Sequence, residues 1–129
     1  MSSKTKGTNA ERDLLHMLWD SGFAVSRMAG SGSIPLPSPD LIASNSKKIF
    51  AIECKHVKKT KYFSKQEISE LKLFAKRFGA VPIIAIKFNH KGWFFLNADK
   101  LDKSKTGNNY VISYKIAKKK GMNFNKLIN

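Results

Sequence analysis

A mixed α/β or α+β core is predicted by three features of the 129-residue sequence. Apolar residues fall at helical spacing in residues 9–21 and again in residues 64–78. Alternating or continuous apolar runs lie between and after them, and turn residues separate each run from the next. The length fits one domain, residues 1–129.

In residues 9–21 Leu14, Leu15, Leu18 and Trp19 follow helical spacing, with Thr8 or Asn9 as the N-cap and Gly22 just past the end. Residues 23–28 are apolar and β-branched enough for a strand. The following AGSGSIPLPSP holds two Gly, three Ser and three Pro in eleven residues and reads as a loop. Residues 40–43 and 48–55 form two strands around the turn Asn45-Ser46-Lys47, which predicts a hairpin. Strand side chains alternate, so Phe50, Ile52 and Cys54 share one face, and Ile49, Ala51, Glu53 and Lys55 share the other.

Ser64 with Glu67 is a capping box opening a second helix, whose stripe is Ile68, Leu71, Phe74, Ala75 and Phe78 before Gly79 ends it. Residues 80–88 are almost wholly apolar, as expected of a strand buried on both faces, and residues 93–96 pair with it across the turn 89–92. Residues 110–114 supply a last strand. The lysine-rich segment 115–129 turns apolar again only at Phe124, Leu127 and Ile128, and the pattern does not define its structure.

Twenty-four Lys and Arg against nine Asp and Glu leave a formal net charge of +15, which points to a polyanionic partner. A ribosomal protein, a membrane-surface protein and a lysine-rich proteome share that signature. No apolar run approaches the ~18 residues of a membrane span, and the N-terminus lacks a signal-peptide stretch, so an intracellular protein with no membrane partner is expected. The single cysteine, Cys54, cannot make an internal disulfide and reads as a small core side chain. His16, His56 and His90 form no ligand cluster. No phosphate-binding glycine motif, nucleophile triad or zinc spacing is present.

Three of the nine acidic residues, Glu11, Asp40 and Glu53, sit amid positive charge. Carboxylates at the start of one hairpin strand and near the end of its neighbour can converge, and with a carbonyl and waters they make an oxygen cage suited to Mg²⁺. Lys55, on the strand face of Glu53, is placed to stabilise a hydroxide or the charge developing on a phosphate. Glu11 could orient a water from the first helix. Glu-x-Lys in a strand is more often a solvated ion pair, and Asp after Pro more often a turn residue. The order helix Glu, Gly/Ser loop, Pro39-Asp40, then Ile52-Glu53-Cys54-Lys55 is what favours a nuclease.

These residues resemble the PD-(D/E)XK nucleases and, within them, the archaeal-type Holliday junction resolvases. The resemblance covers roughly residues 6–96. It is carried by Lys6-Gly7, Ala10-Glu11-Arg12, Gly22-Phe23-Ala24-Val25 with Arg27, the Gly30-Ser31-Gly32 loop, Pro39-Asp40 with Ala43, Ile52-Glu53-Cys54-Lys55, residues 74–79 and the strand 82–88 with Lys87. It implies a restriction-endonuclease-like core with a mixed central sheet flanked by helices. It also implies a homodimer that binds four-way DNA junctions and nicks two opposing strands with Mg²⁺, Mn²⁺ being able to substitute. Glu11, Asp40, Glu53 and Lys55 would be catalytic with Ser31 as a loop serine, and Glu11, Asp40 and Glu53 would hold the metal. Lys6, Arg12, Arg27, Ser31, Lys58 and Lys87 would contact DNA.

Symmetric cleavage of a two-fold junction calls for two identical sites. Leu71, Phe74 and Phe78 are the candidate interface, although an aromatic stripe at that spacing is more often core. A nuclease of the same superfamily acting on duplex or flapped DNA, or a non-catalytic nucleic-acid-binding module, are the alternatives. A sliding clamp stands as a further partner that the sequence does not identify.

Overall fold

The computed structural model describes residues 3–28 and 35–129. Helix α1 (Ser3–Asp20) leads into strands β1 (Ala24–Arg27), β2 (Leu41–Ser44), β3 (Ile49–Val57) and β4 (Thr60–Ser64). Helix α2 (Lys65–Phe78), β5 (Val81–Phe88) and β6 (Gly92–Asn97) follow. A 3-10 turn (Ala98–Lys100), β7 (Asp102–Lys103), β8 (Asn109–Ser113), α3 (Tyr114–Lys120) and α4 (Phe124–Ile128) follow.

Five strands form one sheet in the order β1-β2-β3-β5-β6. The β3/β5 pair is parallel and the others antiparallel, so the sheet is mixed and flanked by helices, as expected. Alternation along β3 sends Phe50, Ile52 and Cys54 toward the α1 side, where Leu14, Leu18, Phe23 and Leu127 complete one core. Ala51 points to the opposite side, into a second core with Ile68, Leu71, Ala75, Ile84 and Ile86. Glu53 and Lys55, two and four positions on, share that second face. Strand β5 feeds both cores and is buried along most of its length, hence its continuous apolar run.

The caps of α2 behave as the sequence predicts. The Ser64 hydroxyl accepts from the Glu67 N–H at 3.0 Å, and Gly79 closes the helix at φ 80°, a conformation that favours glycine.

One expectation needs correction, and two features add to the sequence reading. Helix α1 begins at Ser3 rather than near residue 9, because its first turns are polar and the apolar periodicity that signals a helix starts only at Ala10. A second, three-stranded sheet, β4-β8-β7, escapes the sequence except for β8. β4 buries only Phe63 and β7 spans two residues, too little for a period-two pattern to register. The tail is ordered into two short helices. Ser113 caps α3 and Asn123 caps α4, each through a side-chain oxygen accepting from a backbone N–H, while Ala117 and Leu127 are buried. Burying Leu127, 3% exposed, contributes about 2 kcal/mol and anchors the chain end on the α1-side core. No helix among the described residues is long and apolar enough to cross a membrane.

Candidate active site

The hairpin brings Asp40 to Glu53. The Asp40 N–H donates to the Ile52 carbonyl at 2.9 Å, and the Met28 N–H donates to the Asp40 carbonyl at 2.8 Å, so the backbone before β2 is held on both sides. Leu41 pairs with Ile52. Asp40 Oδ2 accepts from the Cys54 N–H at 2.8 Å, which aims the carboxylate at the far end of β3. Glu53 and Lys55 stand two residues apart on one strand face, and Lys55 Nζ lies 3.3 Å from Glu53 Oε2.

Burial raises the pKa of Asp40, and the Cys54 N–H offsets this only in part. Burial, then the Asp40 charge, pushes Glu53 up to about 7, and a protonated Glu53 is close enough to donate to Asp40. For Lys55 burial acts downward, but the Glu53 and Asp40 charges outweigh it and hold the ammonium above its ordinary value. Beneath them Cys54 is pushed well up, by burial first and then by the neighbouring carboxylates, so it stays a thiol that packs in the core. Two carboxyl groups thus share one lysine, the Asp40 charge raising Glu53 while the hydrogen bond from Glu53 lowers Asp40. This donor set, hard oxygens with an excess of negative charge, fits a small hard divalent cation that retains several waters.

Glu11 stands apart from this pair. Its Oε2 accepts from Arg27 Nε at 2.8 Å, tying α1 to β1, although its charge still reaches Asp40 and Cys54. Among the described residues no three of His, Cys, Asp and Glu gather as a metal-binding group. The structure therefore brings together Asp40, Glu53 and Lys55, and leaves Glu11 with Arg27. Ser31 lies outside the described residues.

Of the basic residues expected at DNA, Arg12 and Lys58 are exposed. Lys87 lies 3.9 Å from Asp13 and 5.9 Å from the centroid of the Trp93 ring. Lys6 is half-buried beside His56, whose pKa is lowered by burial and by the Lys6 and Lys87 charges. Sequence reasoning missed the placement of Lys6, Lys87 and His56 around one sheet end. The cue was faint: His56 and Lys87 are register partners only once β3 and β5 are known to be parallel. It also took Glu67 as a cap alone, whereas its charge reaches both Glu53 and Lys55.

Leu71 belongs to the core at 5% exposure and is not available to a partner. Phe74 and Phe78 do reach the surface, stacked at 5.5 Å, and with Leu36, Pro37, Leu73 and Arg77 they line a shallow apolar groove.

A family model, "Archaeal holliday junction resolvase (hjc)", matches residues 2–129. The chain is 44% identical over 102 residues to the crossover junction endodeoxyribonuclease Hjc of Archaeoglobus fulgidus, covering 78% of this chain and 75% of that one. It is 39% identical to the Hjc of Sulfolobus acidocaldarius over 131 residues, covering 99% and 90%. The crystal structure of the A. fulgidus Hjc, described as a Holliday junction resolvase, superposes with a TM-score of 0.85 at 34% identity over 95% of this chain and all of that one. The identity to the A. fulgidus protein is lower in the superposition, which takes in more of the chain than the 102-residue alignment does. The likeness thus extends through the tail, well beyond the stretch that the motifs span, and the chain belongs to the archaeal Holliday junction resolvase (Hjc) family.

Proposed function

We propose that this protein is a crossover junction endodeoxyribonuclease that resolves four-way DNA junctions by paired phosphodiester hydrolysis in recombination and repair. The observation that carries this reading is the Asp40–Glu53–Lys55 cluster at one end of the sheet, two carboxylates and one ammonium within a chain of net charge +15. Family membership supplies the substrate class.

The residues divide the work. Lys and Arg side chains, among them Lys6, Arg12, Arg27, Lys58 and Lys87, hold the phosphate backbone and supply most of the affinity. Lys55 stabilises negative charge developing on the scissile phosphate or on the attacking oxygen. Burial and the Asp40 charge, which push Glu53 up to about 7, make this carboxyl a place where positive charge is favoured. Asp40 and Glu53 would hold a divalent cation, Mg²⁺ or in its place Mn²⁺, with Glu11 contributing from α1. When bound, the cation would neutralise the carboxylates and supply Lewis-acid stabilisation of a phosphate and a more acidic water. Arg27 then has two uses, holding Glu11 in the free protein and meeting a phosphate in the complex. Ser31, nine positions before Asp40 in the sequence, is a further candidate contact for the same substrate.

The described residues of one chain carry one such cluster, so paired nicks need two copies related by a two-fold axis. The outward face of α2, with Phe74 and Phe78, is the proposed homodimer contact. Phe78 is 48% exposed, so Phe78→Asp should yield a folded monomer by sedimentation that no longer makes paired nicks. A folded dimer would move the interface elsewhere.

The test of the function offers a four-way junction, a linear duplex and a flap with Mg²⁺. Symmetric nicks on two opposing strands of the junction are expected. Preferred cutting of duplex or flap would make it a different nuclease, and binding without cutting would make it a binding module.

A further inference from the structure

The positive charge is unevenly spread along the chain. Residues 103–129 carry seven lysines and no acidic residue. Of these seven only Lys120 has a carboxylate partner among the described residues, Asp102. Two ammonium groups share one ring: Nζ of Lys91 and Nζ of Lys118 each lie 5.6 Å from the centroid of Tyr114. Tyr114 is set edge-on against Phe88 and Phe94 at 5.5 and 5.8 Å, and its N–H donates to the Lys59 carbonyl at 3.0 Å. A fixed aromatic post therefore holds two like charges. Lys58 and Lys59 are exposed in the adjoining turn between β3 and β4. Like charges gathered without a carboxylate raise the local potential and attract a polyanion. Both lysines are exposed, and a cation–π contact at an exposed site is worth only about 0.5–1 kcal/mol, so each ammonium keeps its N–H donors for a phosphate.

The post stands beyond Val57, the last residue of β3, whose carbonyl accepts the Asn89 N–H. At about 3.3 Å per strand residue, Val57 is about 13 Å past Glu53. That is the rise of about four base pairs at 3.4 Å each.

We infer that Lys91 and Lys118, carried on Tyr114, form a second contact for a duplex arm of the substrate, gripping its backbone about four base pairs or more from the nicked phosphate. Helix α3, which carries Tyr114 and Lys118, is then part of the DNA-binding surface. This rests on the endonuclease reading above only for the nick position, since the contact itself can be measured without cleavage.

The test compares the wild type with Lys91→Ala/Lys118→Ala and with Lys91→Arg/Lys118→Arg, binding a four-way junction and a plain duplex in chelator across a salt series. Each phosphate contact contributes about 0.9 to the log-log salt slope, so the alanine pair should lose about 1.8. Its affinity deficit relative to the wild type should shrink about tenfold between 50 and 200 mM salt, and the arginine pair should keep the slope. Phosphate-ethylation interference should show the alanine pair losing only the bands about four base pairs or more from the nick. An unchanged slope, or a uniform weakening of every band, would overturn the inference. A wild type that binds with these slopes but makes no nick would instead overturn the endonuclease reading, because the slope is read on duplex and junction alike.

Discussion

Two acid–base arrangements meet at one end of the five-stranded sheet, and they are balanced differently. On the α1 side Glu11 and Arg27 pair one to one at 2.8 Å, each partly buried, and in the free protein each balances the other. On the α2 side Asp40 and Glu53 share the single Lys55, and burial drives both carboxyls upward in pKa. A matched pair is a structural clamp. An unmatched pair of half-buried carboxyls is held there at a cost in stability, and it pays off only when a cation and a phosphate complete it.

The largest effects should come from the unbalanced side. Lys55→Ala should slow cleavage by about 10²–10³-fold, the usual loss when one stabilising donor at developing charge is removed, and leave junction affinity within a few-fold. Single-turnover cleavage with saturating protein measures this, and a rate within tenfold of wild type would assign Lys55 to binding.

A smaller effect concerns stability and its pH dependence. Glu53 has a folded pKa of about 7, above its ordinary value, so its contribution is fully present below the unfolded pKa and is lost as pH rises through 7. Asp40 is shifted in the same direction. At 1.36 kcal/mol per pKa unit the Glu53 share is about 3 kcal/mol at most. In chelator, Glu53→Gln should therefore melt several degrees above the wild type at pH 8, with the two curves converging near pH 4. Equal melting at both pH values would mean that Glu53 is not strained by its surroundings.

The balanced side should respond least. Arg27→Ala leaves Glu11 without its partner, at a cost of about 1 kcal/mol for a pair this exposed. Glu11→Gln/Arg27→Ala should recover most of that in urea midpoint. A double variant less stable than Arg27→Ala alone would show that Glu11 has a second partner and that the clamp is not self-contained.

Both regions could be read from the sequence to unequal depth. Glu53 and Lys55 on one face follow from strand alternation alone, and Asp40 beside them follows from a hairpin whose turn residues are explicit. The Glu11–Arg27 pair joins residues sixteen apart through the packing of a helix on a strand, which no local period encodes. The same limit hid the second sheet, where β4 and β8 pair across three intervening strands and a helix, and it hid the Lys91–Tyr114–Lys118 cluster. Leu71 shows the converse. It lies one turn from Phe74 and follows the same spacing, but the helix face is wide enough that one residue meets the core and the other the surface.

The central claim, that the unmatched carboxyls act in catalysis and not in holding DNA, is tested most directly by Asp40→Asn. Four-way junction is bound by wild type and variant at equal occupancy, Mg²⁺ is added, and the strands are resolved on a denaturing gel. The wild type should give paired nicks on opposing strands, and the variant intact strands with binding within a few-fold of wild type. Paired nicks by Asp40→Asn at a rate near that of the wild type would contradict the account.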